Sequence, residues 1–181
     1  LRKFQIETLD CINIPKHKRL SSEKFRHIRA KELMVTDHPV VTSGDATKDI
    51  MNISKWILQW LKENFLNNKV ASSEKNIRKI YIDRSDKSLK FPAQRVIKNE
   101  EEIKKYLLEN KFTSVKLHET KFTDQVNLFY NAECIVGLHG GGFANLAFCK
   151  PGTKVIELKS VDAGTPIENL AIKNDLNYNS I

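Results

Sequence analysis

The residues best equipped for chemistry stand in one run, Glu133-Cys-Ile-Val-Gly-Leu-His-Gly-Gly-Gly-Phe-Ala-Asn145. Its apolar part reads as a short buried strand, Glu133–Gly137, followed by His139 and three glycines. Phe143–Phe148 then reads as a short helix. Glycine lets backbone N–H groups approach a ligand with no Cβ in the way. A helix start adds unpaired N–H donors and the positive end of its dipole. Together they suit a phosphate or a carboxylate, and His139 can donate to the same anion. A tight strand-to-helix turn would use glycines too, but the histidine at the strand's carboxyl end tips the reading toward an anion site. Three better-known uses of such a loop do not fit. A lipase-type oxyanion loop needs a G-x-S-x-G nucleophile elbow, which is nowhere in the chain. A Walker loop ends in G-K-[ST], whereas Gly142 is followed by Phe143-Ala144. A dinucleotide fingerprint wants a third glycine where Asn145 stands.

Other polar residues fall at the ends of predicted strands in the same half. Arg84 directly follows the strand-like Ile80-Tyr-Ile-Asp83, and Arg95 precedes Asn99-Glu100. A guanidinium carries planar, permanently charged donors suited to phosphate. Pairing with Asp83, Asp86 or Glu100 on the surface is the plainer use, and position favours function more for Arg84 than for Arg95. Glu157 closes Thr153-Lys-Val-Ile-Glu157 and can accept hydrogen bonds from ribose hydroxyls, or be an ordinary exposed strand-end acid. Asn145 either caps the short helix or touches the ligand. Gln125, in the first turn of a helix, reads as structural.

The elements that must hold these residues change character along the chain. Phe4–Ile14 suggests a short strand ending at Pro15, and Ser21 or Ser22 can cap a helix running to about Leu33. Residues 37–46 are turn-rich. Residues 48–65 form the best helical pattern, with Ile50, Ile53, Trp56, Ile57, Trp60, Leu61 and Phe65 on one stripe. That tryptophan stripe is read as core packing rather than a sugar platform. After residue 76 strands and helices alternate. Strands are expected at 77–83, 112–117, 133–137 and 153–158, with another near Tyr178. Helices are expected at 99–110, 123–131 and 166–174, the first opened by an Asn99/Glu102 capping box. Strict alternation with apolar strands indicates an α/β fold, a Rossmann-like parallel sheet with helices on both faces. Ligands bind such sheets beyond the strands' carboxyl ends. The chain accordingly divides into a flank, 1–76, and a sheet domain, 77–181.

The order of these motifs resembles glycosyltransferase family 61, including its bacterial members associated with capsular polysaccharide synthesis. It rests on Ile80–Asp86, Gln94-Arg95 before Asn99-Glu100, Phe122-Thr-Asp-Gln125, Asn131-Ala-Glu133, Ile135-Val-Gly137, His139–Gly142, Asn145, Phe148 and Pro151–Glu157. The family loop usually reads His-Gly-Ala-Gly, then an apolar residue, Thr and Asn. Here Gly141 stands for the alanine and Ala144 for the threonine, while a paired Arg-Arg is reduced to Gln94-Arg95. The resemblance implies one half of a glycosyltransferase-B architecture. It also implies inverting transfer from a nucleotide sugar to a saccharide or glycan acceptor, with no metal or other cofactor. The carboxyl-terminal half would hold the donor: Arg84, Arg95, His139, Gly140, Gly141 and Gly142 at the diphosphate, Glu157 and Asn145 at the nucleoside. The general base would come from the acceptor side. Asp37 and His38 are the candidates there, against a turn role for both, and the base stays unassigned. The chain opens on Leu1, so the expectation is a fragment that lacks an amino-terminal partner domain. The compartment would be cytoplasmic, at the inner membrane face in a bacterium, or the Golgi or endoplasmic reticulum lumen in a eukaryote.

Composition bounds the rest. The chain has 181 residues, 40% hydrophobic and 29% charged, which argues for a globular protein and against disorder. No apolar run is long enough for a membrane span. The net charge of +8 is uneven: residues 1–31 hold nine Lys or Arg against three acids. Such a segment can face nucleic acid, an anionic membrane or an anionic donor. With no RNA-binding signature and few interleaved aromatics, a solvated Lys-rich surface is preferred and nucleic acid is not expected as a partner. A nucleic-acid-binding domain is therefore the weakest alternative, behind a nucleotide- or anion-binding module that has lost activity. Three widely spaced cysteines and five scattered histidines form neither a disulfide framework nor a metal-ligand pattern.

Overall fold

The computed structural model describes residues 3–34, 52–66, 77–84 and 97–181. The elements are α1 (Lys3–Cys11), α2 (Lys55–Leu66), β1 (Lys79–Ile82), α3 (Glu100–Glu109), β2 (Thr113–Val115), α4 (Phe122–Asn131), β3 (Cys134–Leu138), a 3-10 helix (Gly141–Phe148), β4 (Lys154–Leu158), α5 (Pro166–Lys173) and β5 (Asn177–Ser180). The five strands form one sheet in the order β2-β1-β3-β4-β5, every pairing parallel. This is the α/β, Rossmann-like arrangement expected from the alternation. Strand order reverses between β1 and β3, so the crevice where a parallel sheet takes its ligand opens at the carboxyl ends of those two strands.

Alternation within each strand sorts the core. Ile80, Ile82, Ile135 and Val155 face the larger side, packed with Phe122, Val126 and Phe129 of α4 and with Phe143, Leu146 and Phe148 of the 3-10 helix. Tyr81 and Val136 face the other side with Leu107 of α3. Gly137 is tight by design. A Cβ there would sit 3.0 Å from Ile82 Cβ and 3.2 Å from Phe143 Cζ, so its absence lets the 3-10 helix lie against the sheet. Asn174, at the end of α5, donates to the carbonyls of Leu146 (2.7 Å) and Cys149 (3.2 Å), satisfying the orphan acceptors where that helix ends.

Four expectations about local structure are corrected. The segment 4–14 holds helix α1 rather than a strand, and the Glu7 carboxylate accepts the Phe122 N–H at 2.7 Å. The segment after Ser21 makes one turn, Ser21 C=O accepting from Lys24 and Phe25, and goes no further. Its apolar stripe is thin, and among the described residues Ile28 and Leu33 stay exposed. In α2 the buried residue is Leu58, with Leu61 and Phe65 against the core. The tryptophans lie outward, Trp56 at 59% and Trp60 at 43% exposure. Asn99 does precede α3, but its side chain bonds the Glu102 carboxylate at 3.3 Å instead of capping the helix. Among the described residues no helix is long and apolar enough to cross a membrane.

Candidate functional site

Arg84, His139 and the glycines meet at the β1/β3 crevice. Arg84 is two residues past Ile82, so it continues the face that carries the 3-10 helix. Its Nη1 donates to the His139 carbonyl at 2.6 Å. The guanidinium occupies the space where a side chain on Gly140 would be: a Cβ there would lie 2.9 Å from Arg84 Cζ. Gly140 also has φ +157° and ψ −179°, a region essentially reserved for glycine. Two independent demands therefore fall on that position. Gly142 is confined more gently, its missing Cβ 3.0 Å from Leu117 Cδ1 and 3.1 Å from Ile82 Cγ2, whereas nothing lies within 4 Å at Gly141.

The 3-10 helix starts at Gly141 and first closes a bond at Phe143 N–H, which donates to the Gly140 carbonyl at 3.1 Å. The N–H groups of Gly141 and Gly142 precede that bond, as at every helix start. Permanent positive charge from Arg84 and two leading amides thus lie around one loop. That combination can neutralise a phosphate and hold its oxygens by charge-assisted hydrogen bonds.

His139 is buried, at 9% exposure, and is held on three sides. Its N–H donates to Leu158 C=O at 2.8 Å, extending the β3–β4 ladder, and its carbonyl receives Arg84. Its Nδ1 is hydrogen-bonded to Glu157 Oε1. Glu157, expected at ribose or exposed on the surface, is 0% exposed at the end of β4. Its second oxygen accepts from the Tyr178 hydroxyl at 2.5 Å. Burial, and then the hydrogen bond to Glu157, push the Tyr178 hydroxyl above the usual phenol range. The sequence offers Tyr178 only as part of a strand. Its link to Glu157 spans 21 residues and exists only because β5 pairs with β4, so no local spacing could announce it.

Asn145 turns inward. Its amide donates to Gln125 Oε1 at 3.0 Å and to Gly142 C=O at 3.3 Å. Gln125, read as structural, donates in turn to the carbonyls of Leu117 (2.7 Å) and Thr120 (2.9 Å). The pair ties the glycine loop to the start of α4. Asp83 lies next to Arg84 but on the opposite face, with Ser114 Oγ at 2.9 Å and Lys104 Nζ at 3.4 Å. Arg95, Asp37 and His38 fall outside the described residues. Among the described residues no three of His, Cys, Asp and Glu cluster as metal ligands.

The chain matches the family model described as Glycosyltransferase 61 over residues 4–156. The match takes in Arg84, the His139–Gly142 loop and Asn145, and stops just short of Glu157. No curated protein matches the chain.

Proposed function

Because the chain belongs to glycosyltransferase family 61, we propose that it takes its sugar from a nucleotide-sugar donor whose diphosphate lies on the His139–Gly142 loop. The reading is carried by one observation: Arg84, His139 and the leading amides of the 3-10 helix share the crevice between β1 and β3. Residues 77–181 form the donor-binding unit in this reading, and 1–76 its flank, of which α1 lies on α4 and α2 on the 3-10 helix. Transfer runs with inversion and without a metal. An acceptor hydroxyl of a saccharide or glycan attacks the anomeric carbon from the side opposite the diphosphate. The bond to the nucleoside diphosphate breaks, its electron pair leaves on the phosphate oxygen, and the acceptor's proton passes to a base. Arg84, the amides of Gly141 and Gly142, and His139 stabilise the charge growing on that leaving group. Arg95 would add a second guanidinium. Asn145, engaged with Gln125, holds the loop's shape rather than the nucleoside.

Calorimetric titration with uridine, guanosine, adenosine and cytidine diphosphates tests this. One of them should bind, and Arg84→Ala should weaken it roughly ten- to hundredfold, the size expected for losing a charge-assisted hydrogen bond. His139→Ala should also weaken it. A folded protein that binds none of the four refutes the reading. Binding by the full-length protein with no transfer, acceptors supplied, would instead assign a nucleotide-binding module.

A further inference from the structure

We propose that Glu157 and Tyr178 are positioning residues that fix the ring orientation and proton placement of His139, a role that rests on the diphosphate site described above. Glu157 pairs in register with Gly137 of β3 and Ser180 of β5. Alternation carries Gly137 and His139 along the same face, so the carboxylate lies beneath the imidazole. Both of its oxygens are used: Oε1 by His139 Nδ1 and Oε2 by the Tyr178 hydroxyl. A carboxylate accepts and does not donate, so the proton in the first bond belongs to Nδ1. Nε2 is then the ring nitrogen left for a ligand, and it donates to a phosphate oxygen when it too carries a proton, the imidazolium being held by the Glu157 carboxylate at Nδ1.

Packing alone does not explain a carboxylate here. Burying an ionisable group costs free energy unless its hydrogen bonds are met, and an apolar side chain would fill the same space without that cost. What the carboxylate supplies is direction. The His139 backbone is already clamped by Leu158 and Arg84, which leaves ring rotation as its remaining freedom. Glu157 removes that freedom, and the Tyr178 hydroxyl holds Glu157 in turn. A donor fixed before the ligand arrives needs no reorganisation when charge develops on the leaving group.

Two measurements on the whole chain test the relay. Long-range 15N–1H NMR spectra of the imidazoles should show His139 protonated at Nδ1 in the wild type and at both ring nitrogens in its nucleoside diphosphate complex, with the Nδ1 preference lost in Glu157→Leu, which leaves Nδ1 no acceptor. Calorimetry with the four nucleoside diphosphates should show the tightest of them bound about tenfold more weakly by Glu157→Gln and about threefold more weakly by Tyr178→Phe, within the range for hydrogen bonds in a network. Both losses should vanish in a His139→Ala background, because residues acting through one group are not additive. Tyr178→Phe removes a single hydroxyl from a half-buried ring, so it carries the test if Glu157→Gln does not fold. Additive losses in the cycle, or a wild-type ring protonated at Nε2 alone, would overturn the positioning role while leaving diphosphate binding intact. A wild type with the Nδ1 signature that binds none of the four overturns the donor-site reading, and the positioning role with it.

Discussion

At the scale of single residues, the three loop glycines are unequal, and their substitutions should separate cleanly. Gly140 cannot accept a Cβ without driving the Arg84 guanidinium out of place, and its φ of +157° is strained for any other residue. Gly140→Ala should destabilise the protein by about 1–3 kcal/mol, the usual cost of a residue forced into such a conformation. It should also weaken nucleoside diphosphate binding at least as much as Arg84→Ala. Gly141 has open space around it and no positive φ, and it opens the 3-10 helix. Gly141→Ala, which restores the alanine usual in this family, should leave binding unchanged and raise stability by about 0.5–1 kcal/mol through lost unfolded-state entropy. Urea unfolding and calorimetry on the two variants decide it, and equal behaviour would show that the loop is not shaped by Arg84. The run His-Gly-Gly-Gly was legible as a strand-to-helix turn because its residue types are rare and adjacent. Which glycine is indispensable was not legible, since that depends on a side chain 56 positions upstream. For Glu157 the sequence offers a ribose acceptor or an exposed strand-end acid, and it is neither exposed nor without partners. Its burial follows from strand neighbours that no single-strand pattern reveals.

At the scale of elements, the sheet half and the α2 helix of the flank were readable and the rest of the described flank was not, for one physical reason. Strands β1 and β3 are short, mostly apolar runs buried on both faces, so their composition is dictated by position. The flank elements are decided by tertiary contacts. Phe4 and Ile6 alternate like a strand, yet residues 3–11 form a helix that lies on α4. Glu7 supplies what makes this pairing specific. Its carboxylate accepts the first N–H of α4 and places negative charge at the positive end of that helix. Glu7→Ala should therefore lower stability by about 0.5–2 kcal/mol in urea unfolding, the range for losing a helix cap. Glu7→Gln, which keeps an acceptor but loses the charge, should cost less. Equal stability of Glu7→Ala and wild type would mean that α1 contributes no cap to the sheet domain. The segment after Ser21 carries the opposite lesson, since it has a good cap residue while, among the described residues, its apolar side chains Phe25, Ile28 and Leu33 stay exposed.

At the scale of the whole molecule, the buried acids that stay protonated set how the fold meets alkaline solution. Burial raises the Cys149 thiol from 9.0 to about 12, with the nearby Lys62 opposing it. Burial, reinforced by Glu100, raises the Tyr81 hydroxyl as well, and Tyr178 moves the same way. The unfolded chain therefore releases these protons at lower pH than the native one. Between pH 9 and 12 it binds fewer protons than the folded state does, so stability must fall as pH rises. Cys149 alone can account for a loss of about 4 kcal/mol across that window, at 1.36 kcal/mol per unit. Lys62 acts in the other direction. Desolvation lowers its pKa below the ordinary 10.5, so up to that pH the folded state gains by shedding its proton first. Above it this compensation ends, while the thiol and the phenols go on eroding stability. Urea unfolding from pH 7 to 11 should thus show stability level to about pH 9 and declining beyond, following the unfolded-state thiol titration. Cys149→Ala will cost some packing at every pH, but its stability should decline less steeply above pH 9, because the group whose proton is released early on unfolding is gone. A wild-type profile flat to pH 11, or a variant with an unchanged slope, would locate the alkaline response elsewhere than in the core beneath the 3-10 helix.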